Sequence, residues 1–270
     1  MTRPIVFLTD YGRSDAFVGI CHGIMARIAP DSRVIDITHS VPRQDVLRGA
    51  IELARAVPYM PEDAVYVAVV DPGVGSDRRA VATVAGSSLL VGPDNGVLSL
   101  AWEALGGVGS AVEIENPAVL LMPVSRTFHG RDVFAPAAAH LALGVEPAEL
   151  GPPLALDALA RLDIPMPKVR EGSVDASVLY IDRFGNMQLN MTRDDLDRVG
   201  LVPGTRFELE LAGERYYATA ARTYADARPG EIVLYEDSYR NIAIAINRGS
   251  AAEMFSAQPG QHVLLHLEQP

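Results

Sequence analysis

The sequence predicts an α/β N-terminal domain with a largely parallel sheet in Rossmann-like layers, followed by a smaller all-β barrel. In the first part of the chain, short apolar runs alternate with helical patterns, as they do when helices cover a parallel sheet. After a proline-rich stretch, short apolar runs follow one another with turn residues between them, which is typical of a small barrel. The chain has 270 residues, enough to bury a core in each domain.

Short apolar runs predict the strands of the first domain, at 5–9, 34–37, 64–70, 80–85, 88–91 and 111–115. Longer patterns predict its helices, at 16–29, 44–56, 97–105 and 132–143. Asp15 is placed to cap the first helix, and Gly144 ends the last one. A turn at Gly86 and Ser87 joins the fourth and fifth strands into a hairpin.

Short strands separated by turns predict the second domain, at 174–181, 206–211, 216–221, 231–235, 242–246 and 262–266. One short helix, at 192–199, interrupts them. Prolines between positions 152 and 167 indicate the connection between the two patterns. We therefore expect an α/β domain at 1–160, a linker at 161–172 and a β-barrel at 173–270.

The composition limits the possible partners. A net charge of −11 argues against a nucleic-acid backbone or an anionic membrane as the main partner. Cys21 is the only cysteine, which excludes an intramolecular disulfide and a cysteine-based metal site. The first residues indicate a strand rather than a signal peptide, and no apolar run reaches the length of a membrane span. We therefore expect a cytoplasmic protein.

The stretch V-V-D-P-G-V-G-S-D-R-R, at 69–79, contains the strongest site candidate. A buried strand ends at Asp71, and a glycine-containing loop then leads to Arg78. In an open α/β sheet, ligands bind at the carboxyl ends of the strands. The loop therefore predicts a carboxylate and a guanidinium held together at a ligand site. An ordinary turn with a solvated acid and a surface arginine fits these residues equally well.

Other polar candidates stand at predicted strand ends and turns. Asp10 follows the first strand in a ligand-facing position, whereas Asp15 is either a helix cap or a second ligand group. His129 stands at the entrance to the helix at 132–143, and a helix N-terminus favours negative charge. His140 lies within an alanine-rich helix and is expected to pack. Asp182 follows a strand of the second domain.

Several chemistries have no support in the sequence. The first strand is not followed by G-x-G-x-x-G, and the sequence contains no Walker A motif, G-x-S-x-G elbow or H-E-x-x-H pair. Asp10, Asp71 and His129 are a conceivable metal-ligand set. However, no paired histidine spacing supports a metal, and Arg78 is unfavourable beside a cation. We expect neither a catalytic metal nor a cofactor.

Six motifs, taken in order, resemble one family over nearly the whole chain. They are T-D-Y-G-x-x-D, V-V-D-P-G-V-G-S-x-R-R, G-P-D-N-G, T-F-H-G-R-D-V-F-A-P, I-D-R-F-G-N and I-A-I-N-R-G-S-A-A. The family is that of the S-adenosylmethionine (SAM) hydrolases, or SAM hydroxide adenosyltransferases, which are related to fluorinase and chlorinase. The resemblance implies an N-terminal α/β domain, a C-terminal β-barrel and a homotrimer. Each active site would lie between the N-terminal domain of one subunit and the C-terminal domain of its neighbour.

The resemblance implies attack of water on C5′ of SAM, giving adenosine and methionine. The catalytic set of the family falls on Asp71, Arg78 and His129. The leaving group departs from a sulfonium as a neutral thioether and needs no general acid, so catalysis consists largely of aiming the water. Asp71 and His129 would orient the water and take its proton, and Arg78 would keep Asp71 ionised. Which group accepts the proton stays open.

The resemblance also implies the substrate contacts. These are Asp10 on the ribose hydroxyls, Asp15 and Asp182 on the ammonium, Ser238 near the carboxylate, Phe184 stacked on adenine, Asn186 at the adenine edge, and the backbone at Asn247, Arg248 and Gly249. A carboxylate that accepts two hydroxyl protons suits a ribose diol. An ordinary hairpin turn with a core phenylalanine also explains F-G-N, and Ser238 is also explained as a loop hydroxyl. A tryptophan over the ribose in the family has no counterpart near Gln44.

Two alternatives remain beside hydrolysis. A SAM-dependent halogenase or dehalogenase is disfavoured, because fluorinase-type enzymes carry tyrosines at the positions of Asp71 and His129 and a halide-contacting serine at Gly130. A SAM or adenosine sensor without turnover is disfavoured by the complete set of Asp71, Arg78 and His129. The sequence leaves open which sulfonium epimer is the substrate.

Overall fold

A computed structural model describes residues 2–267 of the chain. It divides into two compact units between Leu162 and Asp163. Among the described residues, no helix has the length and apolar character needed to cross a membrane.

The N-terminal unit, described from residue 2, contains a six-stranded sheet in the order β2-β1-β3-β5-β4-β6. Its strands are β1 (Ile5–Thr9), β2 (Val34–Thr38), β3 (Val65–Val69), β4 (Ala80–Ala85), β5 (Ser88–Pro93) and β6 (Val108–Glu113). The first four strands in the sheet order are parallel, and β4 pairs antiparallel with β5 and β6. The predicted α/β class is therefore confirmed, with an antiparallel edge on the parallel sheet.

Helices cover both faces of this sheet. They are α1 (Phe17–Ile28), α2 (Val46–Ala56), α3 (Ser99–Ala104) and α4 (Ala135–Ala142). Ile5 and Phe7 of β1 point into a core that includes α1 and α4, whereas Val6 and Leu8 point into a second core with α2 and α3. Because both faces are covered, β1 and β3 are buried at every position, and apolar residues predominate in them, as in other buried parallel strands.

Two helix starts differ from the sequence prediction. Asp15 does not cap α1, because the N-cap position is Ala16, which has helical dihedral angles and no side-chain cap bond. Helix α2 begins at Val46 rather than near Gln44. Gln44 has a left-handed backbone (φ 63°), which cannot continue into a right-handed helix, and the Asp45 side chain accepts a bond from the Arg48 amide instead.

The last helix of the N-terminal unit also starts differently. The predicted helix at 132–143 begins as a π-helical turn at Gly130–Phe134 and continues as α4. Such π-turns are rare and occur frequently at functional sites. Gly144 ends the helix with φ 94°, as predicted.

The C-terminal unit, described to residue 267, is a barrel. Its strands are β7 (Lys168–Arg170), β8 (Ser173–Ile181), β9 (Met187–Thr192), β10 (Arg206–Leu211), β11 (Glu214–Ala220), β12 (Ile232–Glu236), β13 (Asn241–Ile246) and β14 (His262–His266). The order is β14-β10-β11-β12-β13-β9-β8-β7, and pairing of β14 with β8 closes seven strands into a barrel. The predicted all-β class is confirmed.

The sequence analysis missed two strands and one α-helix of the described barrel unit, which are β7, β9 and α6 (Ala251–Phe255). Strand β9 contains Gln188 and Asn190, which hide its apolar pattern. The Asn190 side chain accepts a bond from the Ser177 amide at 2.7 Å and donates one to the Pro165 carbonyl at 2.6 Å. The predicted helix at 192–199 is present as α5 (Arg193–Arg198).

Candidate active site

Asp71 lies at the carboxyl end of β3, in the middle of the sheet. Its side chain is only 6% exposed, so its charge is largely removed from water. The end of the strand is held in place by Asn95, whose Nδ2 donates to the Val70 carbonyl at 2.8 Å. The carboxylate is therefore fixed by a rigid strand on one side and a hydrogen-bonded turn on the other.

Arg78 returns to Asp71 at the end of the intervening loop. Its Nε lies 3.0 Å and 3.1 Å from the two carboxylate oxygens, and its Nη2 also donates to Oδ2. The guanidinium packs 5.2 Å from the ring centroid of Phe134 in the π-turn. A fork of N–H donors on a carboxylate is a strong and directional pair. The two ends of the loop are thus joined by an ion pair at the strand end, and the alternative of a turn with a solvated acid and a surface arginine is wrong.

Gly75 allows this loop to lie against the segment that leads to His129. Its φ is 80°, and a Cβ at this position would lie 2.5 Å from the Arg126 carbonyl oxygen. Any other residue would push the two segments apart. The close approach explains how residues far apart in the chain come into contact at the site.

His129 completes the set at the start of the π-turn. Its Nδ1 lies 2.8 Å from Nη2 of Arg78. Because a guanidinium has only donors, Nδ1 accepts this bond, and we infer that the proton of the neutral ring sits on Nε2. The structure therefore brings together Asp71, Arg78 and His129, with Arg78 as the central donor to both partners.

The loop before His129 is anchored by Asp132, a fully buried carboxylate. Asp132 accepts bonds from the Ser125 amide at 2.9 Å and from Arg131 Nε at 2.6 Å. Burial alone would raise the pKa of Asp132, but the bonds from Arg131 and Ser125 outweigh burial and lower it. Asp132 is therefore charged at neutral pH and holds the backbone that carries His129.

Burial lowers the pKa of His129 below its ordinary value of 6.5, and the positive charge of Arg78 lowers it further. The charge of Asp71 and a hydrogen bond with the Ser125 backbone act in the opposite direction, but they are weaker. The imidazole is thus neutral at pH 7, in agreement with Nδ1 acting as an acceptor for Arg78.

Tyr11 is a neighbour of the set that the sequence analysis did not select. Burial raises its pKa, and Cys21, Asp10 and Asp71 contribute in the same direction. A Cβ on Gly130 would collide with the Tyr11 hydroxyl. The Tyr11 hydroxyl occupies the space that a side chain at position 130 would need, so only glycine fits there. The T-D-Y-G motif contains Tyr11, but nothing in the motif alone indicates this contact.

Asp10 lies directly after β1, partly exposed. Its Oδ2 accepts a bond from the Gln44 amide at 2.8 Å, which fixes the carboxylate toward the loop before α2. Asp15 is exposed in the loop before α1, where it neither caps the helix nor joins the ion pair of Asp71.

The barrel unit places Asp182, Phe184 and Asn186 in the tight turn between β8 and β9. Asp182 accepts bonds from the Phe184 amide at 2.8 Å, the Asn186 amide at 3.0 Å and the Asn186 side chain at 2.8 Å. Asn186 also donates to the Tyr224 hydroxyl at 3.2 Å. Both side-chain N–H groups of Asn186 therefore donate within the unit, so a ligand contact of this side chain would use its Oδ1. Tyr224 was not identified from the sequence.

Phe184 is 64% exposed, so it is not the core residue that the hairpin alternative requires. The Arg183 guanidinium lies 4.5 Å from its ring centroid. An exposed aromatic ring at the tip of a fixed turn is available for stacking.

The remaining predicted contacts lie in two loops of the barrel unit. Ser238 is exposed in the turn after β12, where the Asp237 side chain accepts bonds from the amides of Tyr239 and Asn241. Asn247 donates from its side chain to the Ala227 carbonyl at 2.7 Å. Arg248 is exposed with φ 62°.

The fold places the chain among two-domain proteins that join an α/β sheet domain to a small β-barrel. The family model of the SAM hydroxide adenosyltransferase N-terminal domain matches residues 5–151. The family model of the C-terminal domain matches residues 176–264. The chain belongs to the SAM hydroxide adenosyltransferase family.

Individual relatives agree with this assignment. An (R)-S-adenosyl-L-methionine hydrolase of Salinispora arenicola (strain CNS-205) is 50% identical over 262 residues, covering 97% of both chains. A fluorinase of Actinoplanes sp. (strain N902-109) is 30% identical, covering 96% of both. The crystal structure of an uncharacterized conserved protein from Thermotoga maritima superposes with a TM-score of 0.91 at 33% identity, covering 97% of this chain and 99% of that one.

Replacing Gly130 with serine tests the contact with Tyr11. The new side chain collides with the Tyr11 hydroxyl, so we expect G130S to lower the free energy of unfolding by about 1–3 kcal/mol, as overpacking does. Denaturant unfolding measures the loss. In a Y11L background the hydroxyl is gone, and the same substitution should cost clearly less. Equal losses in both backgrounds would show that Tyr11 is not the obstacle.

The lowered pKa of His129 predicts a pH dependence of stability. Between pH 6.5 and the lower native pKa, the unfolded state binds more protons than the native state, so the free energy of unfolding falls as the pH falls through this window. Burial also lowers the pKa values of His39 and His140, so both residues change the free energy of unfolding in the same direction. The imidazole resonances in an NMR titration should give His129 a pKa below 6.5. A value above 6.5 would contradict the proposed neutral acceptor.

Proposed function

We propose that this protein hydrolyses S-adenosyl-L-methionine, with water attacking C5′ to release adenosine and L-methionine. The contact of Arg78 with both Asp71 and His129 is the observation that carries the proposal, in a chain half identical to an (R)-S-adenosyl-L-methionine hydrolase. We propose the (R)-sulfonium epimer as the substrate because that relative is named for it.

We further propose Asp71 as the acceptor of the water proton. Arg78 has no lone pair to offer, and in neutral His129 one ring nitrogen accepts from Arg78 while the other carries the proton. A carboxylate has about four acceptor positions, so Asp71 retains lone pairs beyond those used by Arg78. Asp71 then orients the water and takes its proton as the C–O bond forms.

Arg78 and His129 act on the same step through position and charge. Arg78 holds the carboxylate in one orientation, and His129 fixes the guanidinium from the other side. Departure of methionine from the sulfonium turns a cation into a neutral thioether, so no group has to protonate the leaving sulfur. Most of the barrier reduction then comes from holding water in line with C5′.

The substrate contacts are part of the same proposal. Asp10 accepts from the ribose hydroxyls, and Asp15 and Asp182 meet the ammonium. Ser238 lies near the substrate carboxylate, Phe184 stacks on adenine, and the Asn186 Oδ1 with the backbone at Asn247 and Arg248 completes the adenine site. We propose, as the family resemblance implies, that the two sets meet across the subunits of a homotrimer. The trimer and the cytoplasmic location stay predictions from the sequence.

The closeness of Tyr11 to Gly130 favours water over a halide as nucleophile. The Tyr11 hydroxyl occupies the space next to Gly130, so the serine that fluorinase-type enzymes carry at this position does not fit. A halogenase would need a different arrangement of this loop.

Substitution of Asp71 by asparagine tests the mechanism. We expect D71N to reduce kcat by at least about 100-fold, because the proton acceptor is lost, while calorimetry shows adenosine binding with little change. The matched control is D77N, which removes an exposed carboxylate from the same loop and should leave kcat unchanged. Unchanged turnover in D71N, or an equal loss in D77N, would overturn the role of Asp71.

Product analysis with resolved SAM epimers tests the activity itself. Untagged protein is incubated with each epimer in the presence of a chelator, and adenosine and methionine are followed by chromatography. We expect both products from the (R) epimer without added metal. Formation of 5′-chloro-5′-deoxyadenosine in chloride would favour the halogenase, and tight adenosine binding without products would favour a sensor.

A further inference from the structure

A second group of ligating side chains lies apart from Asp71, Arg78 and His129. It consists of His22 on α1, Asp36 on β2, and His39 directly after β2, and we call it the His22–Asp36–His39 cluster. Nε2 of His22 lies 2.9 Å from Oδ1 of Asp36, and Nε2 of His39 lies 3.2 Å from the same oxygen. One ligand atom from each residue falls within 4.8 Å of the others.

These spacings suit one metal ion. With bonds of about 2.0–2.1 Å, tetrahedral ligands are separated by about 3.3 Å, which the side chains reach by small rotamer adjustments. The side chains of His22 and Asp36 are 36% and 29% exposed, so an ion can enter from solvent and keep water in the fourth position. Arg13 is close enough to act on His39, and the charge of Asp36 offsets it.

The surroundings of His39 also favour a metal site. Its side chain is 1% exposed, and its Nε2 makes no well-formed hydrogen bond, although Oδ1 of Asp36 lies 3.2 Å away. Nδ1 of the same ring lies 2.9 Å from the Thr9 hydroxyl, and Phe7 packs 4.9 Å from the ring centre. A buried polar nitrogen without a well-formed hydrogen bond is unfavourable. A ring held through one nitrogen with the other aimed outward is the usual arrangement of a metal-binding histidine.

We propose that the His22–Asp36–His39 cluster binds one divalent transition-metal ion of the Zn²⁺ type. Two imidazoles and one carboxylate favour zinc, cobalt or nickel over magnesium and calcium, which prefer oxygen ligands. The ligands come from α1, β2 and the segment after β2, so the ion links three parts of the N-terminal unit.

The metal has a structural role rather than a part in hydrolysis. The His39 backbone carbonyl accepts a bond from the Gly12 amide at 2.7 Å, and the His39 side chain bonds to Thr9. The loop between Thr9 and Gly12 carries Asp10, which we propose binds the ribose. A metal on His39 therefore stiffens this loop, while the chemistry at Asp71 proceeds without it.

Metal titration of untagged, chelator-treated protein tests the proposal. Co²⁺ is the spectroscopic probe, and we expect visible ligand-field bands of a four- or five-coordinate ion with one equivalent bound. Zn²⁺ should displace the cobalt and raise Tm. H22A removes one ligand from a half-exposed helix position and should weaken binding at least about tenfold.

H262A is the matched control. His262 pairs with Asp175 at 2.9 Å, as His22 pairs with Asp36, but without a second histidine in the pair. The H262A variant should bind cobalt like the unaltered protein. We expect D36N to lose the ligand-field bands. Circular dichroism should show that this variant stays folded, so the loss of the bands reports the lost ligand and not unfolding. Equal binding by H22A and the unaltered protein, or octahedral cobalt spectra in both, would overturn the proposal.

Discussion

The ion pair between Asp71 and Arg78 is the interaction on which the candidate active site depends. Both side chains are largely buried, and a buried charge is tolerated only with a well-placed partner. Each therefore requires the other, and the loop between them has to return to the strand end. His129 and Phe134 then contact the same guanidinium, so one arginine organises residues from two distant parts of the chain.

The sheet makes this pair possible. Strand β3 lies between β1 and β5, with cores on both faces, so its carboxyl end is a fixed point. The neighbouring end of β1 carries Asp10 in the same way. Parallel strands bring their carboxyl ends to one edge, and this explains why both acids follow strands. The π-turn at Gly130–Phe134 then supplies the irregular start of a helix that places His129 beside them.

The end of β1 and the loop after it connect the residues proposed for hydrolysis to the proposed metal site. Thr9 bonds to His39, Asp10 bonds to the Gln44 amide, and Tyr11 packs at Gly130. Three successive residues thus face the His22–Asp36–His39 cluster, the loop before α2 and the helical turn at Gly130. Restricting the motion of one of these residues therefore restricts the motion of the others, although the groups take part in no common reaction.

The sequence alone determined the class of both domains, most strands, and Asp71, Arg78 and His129 as candidates, because apolar periodicity and strand-end motifs are local patterns. It could not determine that Asp15 leaves α1 uncapped, that Gln188 and Asn190 belong to a strand, or that helix α4 starts with a π-turn. These outcomes depend on neighbours distant in the chain. Only the tertiary structure put Tyr11 against Gly130 and gathered His22, Asp36 and His39, because no spacing in the sequence encodes contacts made across the sheet.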